Sequence, residues 1–193
     1  MAARGVLNSI VETIQDEWSK PAPAWSTVRH GLTASERAFL EKECRTASAF
    51  DPRSVRSTLW DAYCNQSAHG ILRQCRYGHV FLVSLDPRAN DSFPWELWGR
   101  IFRLYGTLNA RHPIRVYLFA DSVRRQFPDD PRQPIGPEHI NGGYTYPCKA
   151  DTILIYRAED ATRVLIHELQ HAFCLDDPKK GVDQMEADRK SVV

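Results

Sequence analysis

The first 75 residues carry apolar side chains mainly at helical spacing. Residues 7–18 repeat apolar positions every three or four residues, which predicts an amphipathic helix that packs on the rest of the protein. Thr33 and Glu36 form the pattern of a capping box and predict the start of a second helix. Residues 51–64 show the same period and predict a third helix. We therefore expect residues 1–75 to form a mainly helical N-terminal part.

From residue 79 to residue 193 the pattern shifts to short apolar runs that predict strands. Two of these runs, residues 79–85 and 114–120, flank an amphipathic helix with an aromatic stripe, and a third run covers residues 151–156. A turn and a short strand are expected between the second and third runs, within residues 141–146. This order predicts an α+β domain in which helices pack on a small mixed β-sheet.

Length and charge balance limit the classes of partner. With 193 residues and no shift in composition, the chain fits a single domain over residues 1–193. Its 25 Lys and Arg against 24 Asp and Glu give a net charge of +1, which provides no general attraction to nucleic acid or to an anionic membrane. Arg100, Arg103 and the Arg124–Arg125 pair are typical of solvated faces. We expect a monomer that binds neither nucleic acid nor membranes.

Cysteine usage and the amino terminus indicate the compartment. The five cysteines are an odd number at irregular spacings, which is typical of reduced intracellular thiols rather than a disulfide framework. The amino terminus lacks a long apolar core of a secretory leader, and no stretch approaches the roughly 20 apolar residues of a membrane span. We expect a cytoplasmic protein.

The strongest chemical signal is a His-Glu-x-x-His motif inside the apolar run of residues 164–173. On a helix, side chains four residues apart lie one above the other, so His167 and His171 would aim at one point and bind one metal ion. Glu168 is turned by about 100° around the same helix, where it can reach a water on that metal. The motif therefore predicts zinc (Zn²⁺) with Glu168 as the general base.

Apolar residues around the motif cover most of the helix circumference and predict a buried helix. A buried helix rarely carries three ionisable side chains without a use, because burial of such groups costs free energy. The alternative is structural: both histidines satisfied by hydrogen bonds in the core, and Glu168 paired with an arginine.

At these residues the chain resembles the zincins, the metallopeptidase superfamily with this helical motif. The resemblance covers residues 114–188 and implies a zincin-like fold that hydrolyses a protein or peptide substrate. In zincins a strand just before the metal helix forms the edge of the sheet, and the substrate pairs with it. The segment Thr152-Ile153-Leu154-Ile155-Tyr156 occupies that place here. The resemblance therefore implies substrate contacts at Thr152, Ile153, Leu154 and Tyr146.

A catalytic zinc site needs a third protein ligand beside an open position for water. Glu186 lies in a Glu-Ala-Asp stretch similar to the one that supplies the third ligand in gluzincins. Asp177 falls at the third-ligand position of the metzincin spacing, but the metzincin glycine is replaced by Cys174, a residue poorly suited to positive φ. Cys148 lies upstream, as the cysteine ligand of peptide deformylases does, although a free loop thiol is the simpler interpretation.

The predicted function is zinc-dependent peptide hydrolysis with His167, His171 and Glu186 as the metal ligands. A second electrophile for the oxyanion is expected from Tyr144, Tyr146 or His139, each of which also fits an ordinary structural role. The alternative function is a catalytically inactive zincin-like binding or regulatory module with a structural or vestigial zinc site.

Overall fold

The protein was analysed as a computed structural model that describes residues 2–46, 54–107, 113–124, 126–136, 139 and 141–175, with side chains from residue 8 onward. Within these ranges the chain forms six helices and six strands. In chain order they are α1 (Ala2–Ser19), β1 (Ser26–Thr27), α2 (Ala34–Arg45), α3 (Val55–Cys64), β2 (His69–Cys75), β3 (Gly78–Ser84), α4 (Ala89–Ser92), α5 (Trp95–Gly106), β4 (Ile114–Phe119), β5 (Gly143–Tyr144), β6 (Ile153–Ile155) and α6 (Ala161–Ala172).

The strands form one mixed sheet in the order β1-β2-β3-β4-β6-β5. The three central strands β3, β4 and β6 run parallel to one another, while the remaining neighbours pair antiparallel. The central strands are apolar on both faces because helices cover both sides of the sheet. The predicted α+β class with a mixed sheet is confirmed.

Alternating residues of the central strands divide the core into two layers. On one face, Val80, Val116 and Ile153 pack with buried residues of α5 and α6. On the other face, Phe81 and Tyr117 pack with buried residues of α2 and α3. The site helix α6 and the N-terminal helices α2 and α3 therefore lie on opposite faces of the same sheet.

The N-terminal part is less helical than predicted, because it also contributes two strands. β2 forms a hairpin with β3 through the two-residue turn Arg76–Tyr77, and β1 pairs with β2. The turn lacks the Asn-Gly or Asp-Gly pair that marks most such hairpins in a sequence. Without a turn signal after them, residues 69–75 were not predicted as a strand. The sheet therefore begins earlier in the chain than residue 79, where the first strand was expected.

The sequence predicted that helix α1 packs on the protein through its apolar face, which is not the case. Its predicted apolar face is solvent-exposed in the structure, with Ile14 and Trp18 49 % and 59 % exposed. The helix is held instead through Glu17, which is paired with Arg103, and through Arg100, which donates to main-chain carbonyls at the helix end. The prediction of solvated faces for these two arginines was wrong. None of the described helices combines the length and apolarity needed to cross a membrane.

Candidate metal centre

Helix α6 carries the His-Glu-x-x-His motif and is anchored by its own apolar stripe. Leu165, Leu169 and Ala172 are buried against the sheet. Near the first turn, the Thr162 hydroxyl accepts a hydrogen bond of 2.9 Å from the Trp98 indole. Asp160 occupies the N-cap position, although its side chain makes no capping hydrogen bond. These contacts fix the rotation of the helix, and with it the direction of the motif side chains.

The two histidines of the motif come together as the helical spacing predicts. Their Nε2 atoms lie 3.1 Å apart, and the rings are nearly perpendicular with centroids 4.7 Å apart. Two imidazoles on one tetrahedral zinc, each about 2.0–2.1 Å from the metal, have their nitrogens about 3.3 Å apart. His167 is exposed and His171 is half-buried. The pair therefore fits a single zinc ion reached from the surface.

Glu168 lies on the buried side of the same helix and is only 6 % exposed. Burial raises the pKa of Glu168 to about 7, against opposing effects of the charge on His171 and of a hydrogen bond from the Thr145 main-chain N–H. A carboxyl group in such an environment is suited to proton transfer near neutral pH. Thr145, which follows β5, is a contact that the sequence did not indicate.

The prediction of a fully buried helix was wrong, because one face of α6 meets solvent. Ile166 is 39 % exposed, and His167 and Gln170 are also exposed. His167 therefore does not lie in the core, as the structural alternative requires, although its Nε2 is within hydrogen-bond distance of His171 Nε2. The structure also gives Glu168 a main-chain N–H as hydrogen-bond partner in place of the arginine of that alternative. The motif therefore has a solvent-exposed residue, His167, and a buried residue, Glu168.

Strand β6 does not form the edge of the sheet, so the expected edge position of residues 152–156 was wrong. β5 pairs along it, with Gly143 opposite Ile155 and Tyr144 opposite Leu154. Ile153 and Leu154 are fully buried, and the Thr152 hydroxyl donates to the Lys149 carbonyl. A run of consecutive apolar residues is typical of a central strand covered on both faces, whereas an edge strand with one solvated face would alternate. The edge on this side of the sheet is β5.

A cleft of about 270 Å³ lies between the start of β5 and the exposed face of α6. It reaches the motif at His167 and Glu168. The other residues that line it are Asn141, Gly142, Gly143, Asp160, Arg163 and Val164. The cleft therefore gives a ligand access to His167 and Glu168 along the open edge of the sheet.

The two tyrosines around Thr145 are not available as oxyanion donors. The Tyr144 and Tyr146 hydroxyls donate to the two carboxylate oxygens of Glu43, over 2.7 Å and 2.9 Å. Each tyrosine has one hydroxyl proton, and Glu43 accepts it. The prediction of an electrophile role for these side chains was wrong. His139 also has a local partner, since its Nδ1 accepts from the Gly136 N–H at 2.8 Å.

Glu43 was missed in the sequence, although a signal was present. Residues Glu36, Leu40, Glu43 and Cys44 lie on one helical face, and all four are buried in α2. A glutamate inside an apolar stripe marks a buried carboxylate that needs polar partners. For Glu43 these partners are residues about 100 positions later in the chain, which local pattern does not reveal.

The carboxyl end of α6 departs from two expectations. Cys148 and Cys174 form a disulfide with their Cα atoms 5.1 Å apart, so the prediction of reduced thiols was wrong for this pair. Cys174 adopts a left-handed conformation with φ of 55°, and Leu175 N–H bonds the Gln170 carbonyl, as at a Schellman helix end. Cys174 therefore takes the conformation that the metzincin spacing assigns to glycine, and the steric argument against Asp177 does not hold.

Both remaining candidates for the third ligand, Asp177 and Glu186, lie outside the described residues. Within the described ranges, no cluster of three or more His, Cys, Asp or Glu side chains is placed to hold a metal ion. No protein-family model, curated protein or solved structure matches this chain.

Proposed function

We propose that the protein is a zinc-dependent metallopeptidase that resembles the zincins. The observation that carries the proposal is the pair of imidazole nitrogens 3.1 Å apart on one helix, with the buried Glu168 carboxylate on the next residue. Two neutral imidazoles and a nearby carboxylate base are the donor set of zinc hydrolases.

The proposed ligands are His167, His171 and one carboxylate from the last part of the chain. Glu186 suits this role because it lies in a gluzincin-like Glu-Ala-Asp stretch. Asp177 suits it as well, because it falls at the third-ligand position of the metzincin spacing and Cys174 adopts the left-handed conformation that this spacing assigns to glycine. Either choice leaves a position for water, as catalytic sites require.

Bound zinc would polarise the scissile carbonyl and lower the pKa of a coordinated water. Glu168 accepts the proton of the attacking water and later delivers it to the amine nitrogen as the peptide bond breaks. Burial on α6 raises the pKa of Glu168 to about 7, which suits its carboxyl group to accept and release a proton near neutral pH.

The proposed substrate is an extended segment of protein or peptide that pairs with β5. This strand is the last in the sheet, and its start lines the cleft that contains His167 and Glu168. Main-chain pairing along an open edge gives affinity without requiring a particular sequence. The predicted substrate contact at Tyr146 is retained in the proposal because this residue follows β5 and is 41 % exposed.

The proposal is tested by replacing the base and leaving the ligands intact. In Glu168→Gln we expect bound zinc to be unchanged and kcat on a peptide library to fall by about 10²–10⁴-fold, the range for loss of a general base. The matched control is Gln170→Ala, an exposed position of the same helix, which should retain wild-type kcat.

Unchanged turnover in Glu168→Gln would remove Glu168 from the base role. Absence of hydrolysis in the zinc-loaded wild type would instead favour the inactive binding module. A site with four protein ligands and no open position would have the same consequence.

A further inference from the structure

A cavity of about 390 Å³ lies at the carboxyl ends of β3 and β4, between the starts of α5 and α6. Ser84 ends β3 and Ala120 follows β4, so the cavity opens where two parallel strands stop. Its volume is within the range of small-ligand sites, and sheets with parallel strands commonly bind ligands at this end. The proposed catalytic steps leave this cavity without a role.

The floor of the cavity is apolar. Leu82 and Leu118 of the central strands and Trp98 of α5 line it and are buried. Small side chains around them leave the space unfilled, and these belong to Ala89, Ala120, Ser122, Ala158 and Ala161. The floor therefore offers an apolar surface to a side chain that enters from solvent.

The rim of the cavity is mainly acidic. Asp86, Glu159 and Asp160 contribute carboxylates. Among the described residues that line the cavity, Arg163 carries the only positive charge of an arginine or lysine. The rim therefore disfavours an acidic ligand and attracts a cationic one.

Arginines near the rim only partly offset this charge. Asp86 lies 3.7 Å from Arg88, Asp160 lies 3.7 Å from Arg163, and Glu159 lies 3.9 Å from Arg157. Arg88 and Arg163 are 86 % and 85 % exposed. Exposed pairs of this kind contribute little free energy, because solvent and salt screen the charges. A cation that enters the cavity can therefore compete with them.

The cavity adjoins the cleft of the candidate metal centre. Asp160 and Arg163 line both of them, and the cleft contains His167 and Glu168. Asp160 precedes His167 by seven residues, which is roughly 10 Å along a helix axis. An extended peptide advances about 3.3 Å per residue, so it covers this distance in about three residues.

We propose that the cavity binds a lysine or arginine side chain of the peptide substrate. This inference rests on the proposed function, and it names the class of substrate as an extended peptide with a basic residue about three positions from the cleaved bond. The methylene groups of the basic side chain pack on Leu82, Leu118 and Trp98, while its charged group lies at the carboxylates of the rim.

Two variants change the charge of the cavity at exposed positions. Asp86→Asn removes one carboxylate and retains the Oδ1 atom that accepts the Arg88 N–H at 2.9 Å. Ser122→Lys adds a positive charge to the lining. The matched control is Asp61→Asn on α3, on the opposite face of the sheet. Asp61 is 50 % exposed, against 52 % for Asp86, and is also paired with an arginine.

The first measurement is binding of n-butylguanidinium to the metal-free protein, followed by NMR, with the neutral isostere n-butylurea as the reference probe. We expect n-butylguanidinium to shift the Ser84, Ala120 and Ala158 amide signals to saturation and to bind at least about threefold more tightly than n-butylurea. This preference should fall in Asp86→Asn, disappear in Ser122→Lys and persist in Asp61→Asn. Equal affinity for the two probes in wild type, or no saturable shift, overturns the proposal.

The second measurement is hydrolysis of peptides by the zinc-loaded protein, with arginine or its neutral isostere citrulline at each position in turn. At one position, about three residues from the cleaved bond, we expect kcat/KM to be about fivefold or more higher for arginine. Ser122→Lys should abolish this preference, and Asp61→Asn should retain it.

The two measurements separate failure of this inference from failure of the proposed function. Hydrolysis without a preference for arginine at any position, or with a preference that Ser122→Lys retains, overturns the inference and leaves the proposed function standing. If wild type binds n-butylguanidinium but hydrolyses no peptide, the proposed function fails, and the assignment of the cavity to a substrate side chain fails with it.

Discussion

At the scale of single residues, the structure is notable for buried carboxylates that each have a specific set of donors. Glu36 accepts from the Thr33 main-chain N–H and hydroxyl, and it lies 2.8 Å from His79 Nε2. Glu43 accepts from two tyrosines, and Glu168 from a main-chain N–H. Hydrogen bonds from these donors offset the free-energy cost of burying the carboxylate, and removal of the carboxylate leaves the donors without an acceptor.

Glu36 should make stability depend on pH in the acid range. Burial raises the pKa of Glu36, but the Thr33 hydrogen bonds and the charges of His79 and Arg115 outweigh it, so the pKa lies below the ordinary 4.5. The ionised carboxylate therefore stabilises the fold above that ordinary value, and the contribution is lost as pH falls through the lower folded-state pKa.

This dependence is measured by urea unfolding at several pH values between about 6 and 3. Wild type should lose free energy of unfolding more steeply on acidification than Glu36→Gln does. Glu12→Gln, which changes an exposed carboxylate on α1, serves as the control and should follow wild type. Parallel curves for wild type and Glu36→Gln would contradict the argument.

At the residue scale, the sequence correctly predicted contacts between side chains three or four positions apart on a helix. The capping box at Thr33 and Glu36 is present, and the four-residue spacing of His167 and His171 brings their Nε2 atoms together. The partners of Glu43 lie over 100 positions away, and a main-chain N–H such as that of Thr145 leaves no trace in residue type. Long-range and main-chain contacts were therefore not predictable from pattern.

At the scale of elements, the arrangement of β5, β6 and α6 builds the cleft. β6 leads directly towards α6, and β5 lies along the outer side of β6 where the substrate was expected. The helices α2, α5 and α6 were predicted from apolar residues at helical spacing, and α2 begins directly after the predicted cap at Thr33. β1 was missed because it has only two residues, and β2 was missed because its seven residues place Ile71 and Leu72 side by side and show no apolar alternation.

Gly143 should be essential for this arrangement, because β5 passes very close to its neighbours. A Cβ at Gly143 would lie 2.6 Å from the Leu154 carbonyl oxygen and 2.7 Å from Val164 Cγ1. We expect Gly143→Ala to lower the free energy of unfolding by roughly 1–3 kcal/mol and to reduce kcat/KM, since β5 must move away from β6 and α6.

The measurement is urea unfolding together with peptide hydrolysis. Gly31→Ala is the control: its Cβ meets no atom within 4 Å, although the φ of 65° alone should cost about 1 kcal/mol. It should leave kcat/KM unchanged. Gly143→Ala with wild-type stability and activity would show that β5 tolerates displacement and has no role in the cleft.

At the scale of the whole molecule, the sheet separates two layers of helices that serve the site differently. α6 and α5 pack on one face and present the motif, while α2 and α3 pack on the other face. Glu43 connects the second layer to the edge of the sheet, through hydrogen bonds from Tyr144 at the end of β5 and from Tyr146. The N-terminal part therefore helps to fix the edge of the sheet beside α6.

The central claim is that His167 and His171 hold a catalytic zinc ion together with a carboxylate from the end of the chain. The most direct measurement is zinc content by elemental analysis of wild type, His171→Ala, Glu186→Ala and Asp177→Ala, with His30→Ala as an exposed histidine control. We expect about one zinc per chain in wild type and His30→Ala. It should be lost in His171→Ala and in one of the two carboxylate variants. Wild type without zinc after metal addition, or full zinc content in His171→Ala, would contradict the account.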